Sequence, residues 1–235
     1  LVSLLDLPTG QEAAGRRIDL DDRNLPNQVV FSPLGYYAFV SVAGPALVEV
    51  RDAYTGGFVT ALKEAGFAPR GLVLDDAGQL FVHASLSRSL VVYDVTEILG
   101  SVDFTTRRVA EIATVASEAL PADVLRGKQL FYNSADVRMS AQGYLSCASC
   151  HFDGAEDGRV WDFGNLGEGL RNTISLLGRR GMGHGGLNWS GSSSELQDID
   201  DNIRDLFGGT GFLTQPQRAA LGEAEKDEKA GLSVE

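Results

Sequence analysis

Val29-Val30-Phe31-Ser32-Pro33-Leu34-Gly35-Tyr36-Tyr37-Ala38-Phe39-Val40 reads as a strand, a turn and a strand, and Leu72-Val73-Leu74-Asp75-Asp76-Ala77-Gly78-Gln79-Leu80-Phe81-Val82 repeats it. Gly35 and Gly78 stand 43 residues apart, and Leu47-Val48 and Leu90-Val91 keep the same offset. A second signature runs beside the first. Asp6-Leu7-Pro8-Thr9-Gly10 and Asp52-Ala53-Tyr54-Thr55-Gly56 both read Asp-x-x-Thr-Gly at an offset of 46, and Asp94-Val95-Thr96-Glu97 is a degenerate third copy. The first half of the chain is therefore expected to be repeated, short-stranded β-structure.

A period of about 40–45 residues with several strands per unit marks a propeller blade. One small twisted sheet cannot bury both faces alone, and stacking neighbours around an axis covers them. An ordinary β-sandwich is the competing reading. The repeated residues resemble the YVTN-type β-propeller family, whose blades carry strand, turn, strand and then Asp-x-x-Thr-Gly. Closure takes about 4–8 blades, so residues 1–116 are expected to form a partial β-propeller of two to three blades. Earlier blades are expected to precede this sequence.

Composition shifts near Ser117-Glu118-Ala119-Leu120-Pro121. Pro121 is a helix start signal, and a helix is predicted from Ala122 to about Tyr132. Beyond it stands Ser146-Cys147-Ala148-Ser149-Cys150-His151, which holds both cysteines of the chain and one of its 3 histidines. Cys-x-x-Cys-His is the attachment signal for c-type haem. Two thiols on a short turn reach the two vinyl groups of one porphyrin, and the adjacent imidazole lies under the iron. Two rivals are weaker. A thioredoxin-like pair belongs near a βαβ pattern, which is missing here. A structural zinc site needs four ligands, and only His83 and His184 remain as nitrogen donors.

Further motifs follow in order: Asp162-Phe163-Gly164-Asn165, Leu170-Arg171-Asn172-Thr173-Ile174-Ser175-Leu176-Leu177-Gly178, Gly181-Met182-Gly183-His184-Gly185, Leu187-Asn188-Trp189-Ser190-Gly191 and Gly208-Gly209-Thr210-Gly211. With Gly127-Lys128-Gln129-Leu130-Phe131 upstream, they resemble the bacterial di-haem cytochrome c peroxidase family, in its propeller-fused branch. The resemblance covers about residues 121–212. It implies a fold of β-propeller-like blades followed by a mainly α cytochrome c domain, here residues 117–214, with 215–235 a charged linker or the start of a further helix. It also implies two haem domains, so either a second is expected beyond this sequence or the chain is a single-haem relative.

The implied cofactor is covalent haem c on Cys147 and Cys150, with His151 as iron ligand. Opposite His151, His184 is the first candidate, in a glycine-rich loop that lets a side chain approach a flat ring. Met182 is the alternative in the same loop, and Met ligation raises the potential. Met139 lies only eight residues before Cys147 and is too tightly tied to cross the ring. Arg171 is a candidate partner for a haem propionate through its planar fork, or a plain surface arginine. Trp189, with Trp161, flanks the motif and is either a packing group at the haem edge or an electron relay.

One more helix is predicted. Ser194 and Gln197 form a capping box, and Leu196, Ile199, Ile203, Leu206 and Phe207 follow at helical spacing up to Gly208. Asp198, Asp200 and Asp201 are expected on its solvated face. A mixed charge run follows over 223–229.

The balance is 20 basic against 32 acidic residues, a net charge of −12. That disfavours nucleic acid or an anionic membrane as partner, since both need a basic face. No apolar run approaches the roughly 18–20 residues of a membrane span. The sequence thus leads to a haem c-dependent, peroxidase-like oxidoreductase, exported to the periplasm or cell surface where haem c is attached. A redox partner protein or small electron donor would feed it, with peroxide as possible substrate. A non-enzymatic electron-transfer module on a propeller scaffold is the alternative.

Overall fold

The computed structural model describes all residues except Leu1, Ala14, Asp21, Val102, 165–166, 179–185, 192, 194–195 and 220–235. The chain divides into two compact units, one of residues 1–135 with 144–149 and one of residues 136–143 with 150–235.

The first unit holds two antiparallel meanders. Strands β3 (Pro26–Phe31), β4 (Tyr37–Val42), β5 (Leu47–Asp52) and β6 (Phe58–Leu62) form one sheet in sequence order. Strands β7 (Pro69–Leu74), β8 (Gln79–Ala84), β9 (Ser89–Asp94) and β10 (Arg107–Ala113) form the second the same way. A small pair, β1 (Leu5–Asp6) and β2 (Gln11–Glu12), precedes them.

The repeat is built from local chemistry. Gly35 and Gly78 sit at φ 73° and 77°, a region that costs glycine little and other residues much. Beside each glycine a side chain braces the turn. Ser32 Oγ accepts the Tyr37 amide at 3.0 Å, and Asp75 Oδ1 accepts the Gln79 amide at 2.7 Å. At the ends of β5 and β9, Asp52 accepts the Thr55 amide at 2.7 Å and hydroxyl at 3.0 Å, and Asp94 accepts the Thr96 amide at 3.1 Å and hydroxyl at 2.7 Å. After Asp94 the chain inserts a short helix, α1 (Thr96–Gly100), before β10.

The two sheets share a core of Phe39, Val48, Val50, Leu62, Leu72, Leu80, Val82, Val91, Tyr93 and Ile98. Alternation sends Val40 and Val42 to the opposite face of β4, where Leu20, Ile18 and Val2 cover them. Two polar side chains also join the sheets. Gln28 pairs with the Leu72 backbone, accepting its N–H at 2.9 Å and donating to its carbonyl at 3.2 Å, while Ser41 donates to the Arg70 carbonyl at 3.0 Å.

Helix α2 (Ala122–Tyr132) forms at the bounds that Pro121 predicts. It packs on the first unit: Tyr132 lies against Ala43, Ala68 and Leu86, and Gln129 donates to the Leu86 carbonyl at 2.9 Å.

The second unit departs from expectation. A mainly α cytochrome c domain is not what these residues form. Past helix α3 (Cys147–Cys150) the chain makes a hairpin of β11 (Val160–Phe163) and β12 (Gly169–Asn172), with Trp161 opposite Arg171. Among the described residues the longest helix after it is α4 (Ile199–Phe207). The physical reason is composition. Glycines recur between Phe152 and Gly191, each costing a helix interior about 1 kcal/mol, and several take positive φ. The corrected fold is predominantly antiparallel β, in four sheets that close into no barrel among the described residues.

Helix α4 is preceded by a 3₁₀ turn at Leu196–Asp198 and stops at Gly208, which is left-handed at φ 64°. Ser194 of the proposed capping box lies outside the described residues. Asp200 is a second correction: it is 5% exposed rather than on a solvated face. It accepts Arg204 Nε at 2.8 Å and the Leu213 amide at 3.1 Å, and also the Phe212 amide. The partners that bury it come from the chain returning after Gly208.

Candidate functional site

The site is built on the four-residue helix α3. Cys147 and Cys150 are three apart, so helical geometry puts them on one face. Both are thiols with no disulfide between them, and each is half-buried. Burial pushes the Cys147 thiol up, which favours its protonated form. The helix starts in a small clasp: the Ser146 amide donates to Ser149 Oγ at 2.9 Å, and the Ser149 amide to the Ser146 carbonyl at 3.0 Å.

His151 follows the helix directly. Its Nδ1 lies 2.9 Å from the carbonyl oxygen of Ile174. A carbonyl only accepts, so Nδ1 carries a proton, and in the neutral ring Nε2 then keeps its lone pair. That is the tautomer of a metal-ligating histidine whose second nitrogen is held by a backbone carbonyl. The chain then turns sharply, with Asp153 at φ 49° and Gly154 at φ 81°. The Gly154 carbonyl accepts the Leu176 amide at 2.8 Å. Segments 151–154 and 174–176 are thus clamped by two bonds. Phe152, Leu176 and Leu177 around the clamp are 55%, 39% and 65% exposed, an apolar surface suited to a flat apolar ring.

The remaining candidates divide. Arg171 on β12 is 3.6 Å from Glu168 Oε2 and donates to the Leu170 carbonyl at 2.8 Å. Trp189 is 59% exposed and donates from its indole to the Asn172 carbonyl at 2.8 Å. Arg171, Asn172 and Ile174 lie on one run of chain, so both candidates belong to the segment that holds His151. His184 and Met182 lie outside the described residues. Met139 is buried beside the returning Gly208–Gly211 turn, where the Gly211 amide donates to the Arg138 carbonyl at 3.0 Å.

Two thiols on one turn, an imidazole with Nε2 available and exposed apolar groups beside it fit a covalently held haem. Among the described residues no group of three or more His, Cys, Asp or Glu side chains is arranged to hold a metal ion by itself, and no helix is long and apolar enough to cross a membrane.

Sequence reasoning missed Ile174, whose contribution is a backbone carbonyl, and Asp157 and Thr173 behind it. The signal for Thr173 was its place in the Arg-Asn-Thr-x-x-Leu run. No protein-family model matches the chain, and no curated protein matches it either.

Proposed function

We propose that the chain carries one haem c, bound through thioethers at Cys147 and Cys150 with His151 on the iron, and acts as a haem c-dependent, peroxidase-like oxidoreductase. The observation that carries this reading is the His151 Nδ1–Ile174 carbonyl bond, because it leaves Nε2 as the ligand atom. When bound, haem supplies a one-electron couple at its iron.

The residues of the chain do the rest. The Ile174 carbonyl orients the imidazole and raises its basicity. Phe152, Leu176 and Leu177 cover ring surface and keep water from it. Arg171 offers its fork to a propionate in place of its 3.6 Å contact with Glu168. In the electron-transfer alternative His184, or Met182 in its place, would be the second protein ligand to the iron, whereas the enzyme reading leaves that position to the substrate. The acidic balance of the chain, −12, favours a basic redox partner steered by charge and slowed by salt. Haem attachment at such a motif would be carried out after export, so the proposed location is the periplasm or the cell surface.

The test is an absorption spectrum of the exported protein, oxidised and reduced, before and after carbon monoxide or peroxide. The enzyme reading expects the spectrum to move at once, because an open side of the iron takes the added molecule. A haem spectrum unmoved by either ligand contradicts it and makes the chain an electron-transfer module.

A further inference from the structure

The bond that fixes His151 has its own support. Ile174 follows Thr173, a buried residue whose hydroxyl donates to Asp157 Oδ1 at 2.9 Å. The same oxygen accepts the Arg159 amide at 3.0 Å, and Oδ2 accepts the indole N–H of Trp161 at 2.9 Å. One carboxylate therefore gathers three donors, two from the turn and strand leading into β11 and one from the chain leaving β12. Burial works against its charge, yet the Arg159 amide, the Thr173 hydroxyl and the Trp161 indole outweigh it and hold the carboxyl below its usual range. At neutral pH Asp157 is ionised and accepts from all three.

The consequence passes along the chain. Peptide units are planar and stiff, so anchoring Thr173 restricts where the next carbonyl can point. On the far side the Leu176 amide is bonded to Gly154 at 2.8 Å. Ile174 is thus held before and after.

We propose that Asp157 is a positioning residue for the iron ligand: through Thr173 it aims the Ile174 carbonyl at His151 Nδ1 and keeps Nε2 the unprotonated nitrogen. The proposal rests on the haem reading for what Nε2 then binds, while the tautomer is a property of the chain itself.

The experiment uses the ¹⁵N-labelled full chain, made without haem maturation, and reads the protonation pattern of each imidazole by long-range ¹H–¹⁵N correlation. His83, on β8, is the internal control. Wild type and Thr173→Ser, which keeps the hydroxyl, are expected to show His151 protonated at Nδ1. Thr173→Val is expected to show a several-fold larger share of the Nε2–H form, with His83 unchanged. Asp157→Asn, which turns one acceptor into a donor facing the Trp161 indole, shifts it the same way by less. In the haem-loaded chain, Thr173→Val is expected to raise the midpoint potential, because a less basic imidazole stabilises the oxidised iron less.

A wild-type His151 protonated at Nε2 overturns the proposal without any variant. So does a folded Thr173→Val chain with the wild-type pattern and potential. If Thr173→Val does not fold, an unchanged His151 in Asp157→Asn overturns it. A wild-type chain that shows Nδ1–H but accepts no haem sinks the haem reading and leaves this one standing.

Discussion

The side-chain amide of Asn24 donates to Ser146 Oγ at 2.6 Å, a bond between two buried residues 122 positions apart. It ties the residue before Cys147 to the loop that enters the first β-sheet. Asn24 is itself closely packed: a Cβ on Gly44 would lie 2.7 Å from Asn24 Cβ and 2.8 Å from Ser134 Oγ. Removing the amide strands a buried hydroxyl, which costs about 1–3 kcal/mol. Asn24→Ala is expected to lose that much in urea unfolding. Ser146→Ala in the Asn24→Ala background should cost clearly less than Ser146→Ala alone. Additive losses would show that the bond contributes nothing.

The turn after α4 should tolerate no side chain at Gly209. A Cβ there would overlap the Arg138 carbonyl oxygen and the Met139 backbone. Backbone cannot rotate aside as a long side chain can, so overpacking costs of about 1–3 kcal/mol or more apply. Gly209→Ala is expected to lower the thermal midpoint of the second unit. Gly127→Ala is the control, since a Cβ on that helical glycine meets nothing within 4 Å, and it should stabilise slightly.

Asp200 is expected to behave as a structural anchor. It holds Arg204 and two amides of the returning chain from a site 5% exposed. Hydrogen bonds to a buried charge are worth about 1.5–3 kcal/mol each. Asp200→Asn, which keeps its shape and loses its charge, should destabilise by about that amount. Asp201→Asn, on the exposed side, should fall within about 0.5 kcal/mol of wild type.

Acid should loosen the β-unit through its repeat turns. The side-chain bond from Arg107, aided by Thr96, draws the Asp94 carboxyl down from 3.8 to about 2. A depressed carboxylate stabilises the fold above its unfolded pKa and loses that contribution as pH falls through the folded value. The window here runs from about pH 4 down to about 2. Asp52, lowered by the Thr55 amide and hydroxyl, acts in the same direction. Asp94→Asn should be less stable at neutral pH and flatter across that window. An identical slope for wild type and variant would refute the assignment.

These residues also show how much the sequence discloses. The 43-residue repeat was legible because it rests on short-range chemistry: a positive-φ glycine and a side chain bracing the turn within a few residues. The Ala122–Tyr132 helix was legible from Pro121. The second unit was misread as mainly α because that expectation came from ordered motifs rather than from helical periodicity. The four-residue strands Val160–Phe163 and Gly169–Asn172 are too short to show alternation, and Val160 and Leu170 are exposed apolar residues on them. At the candidate site the cysteines and His151 were legible as a motif. Ile174 was not, since a backbone carbonyl has no letter. Asp200 was read as a solvated carboxylate because the Leu213 amide that helps bury it arrives 13 residues later.

Covalent attachment of haem to Cys147 and Cys150 is decided by the mass of the denatured chain. The full chain would be exported from a host with working haem c maturation, then weighed after denaturation beside a Cys147→Ser/Cys150→Ser variant. The wild-type chain is expected to gain the mass of one haem that denaturation does not remove, and the variant is expected to gain none. A wild-type chain of unmodified mass, with both thiols open to alkylation, would contradict it.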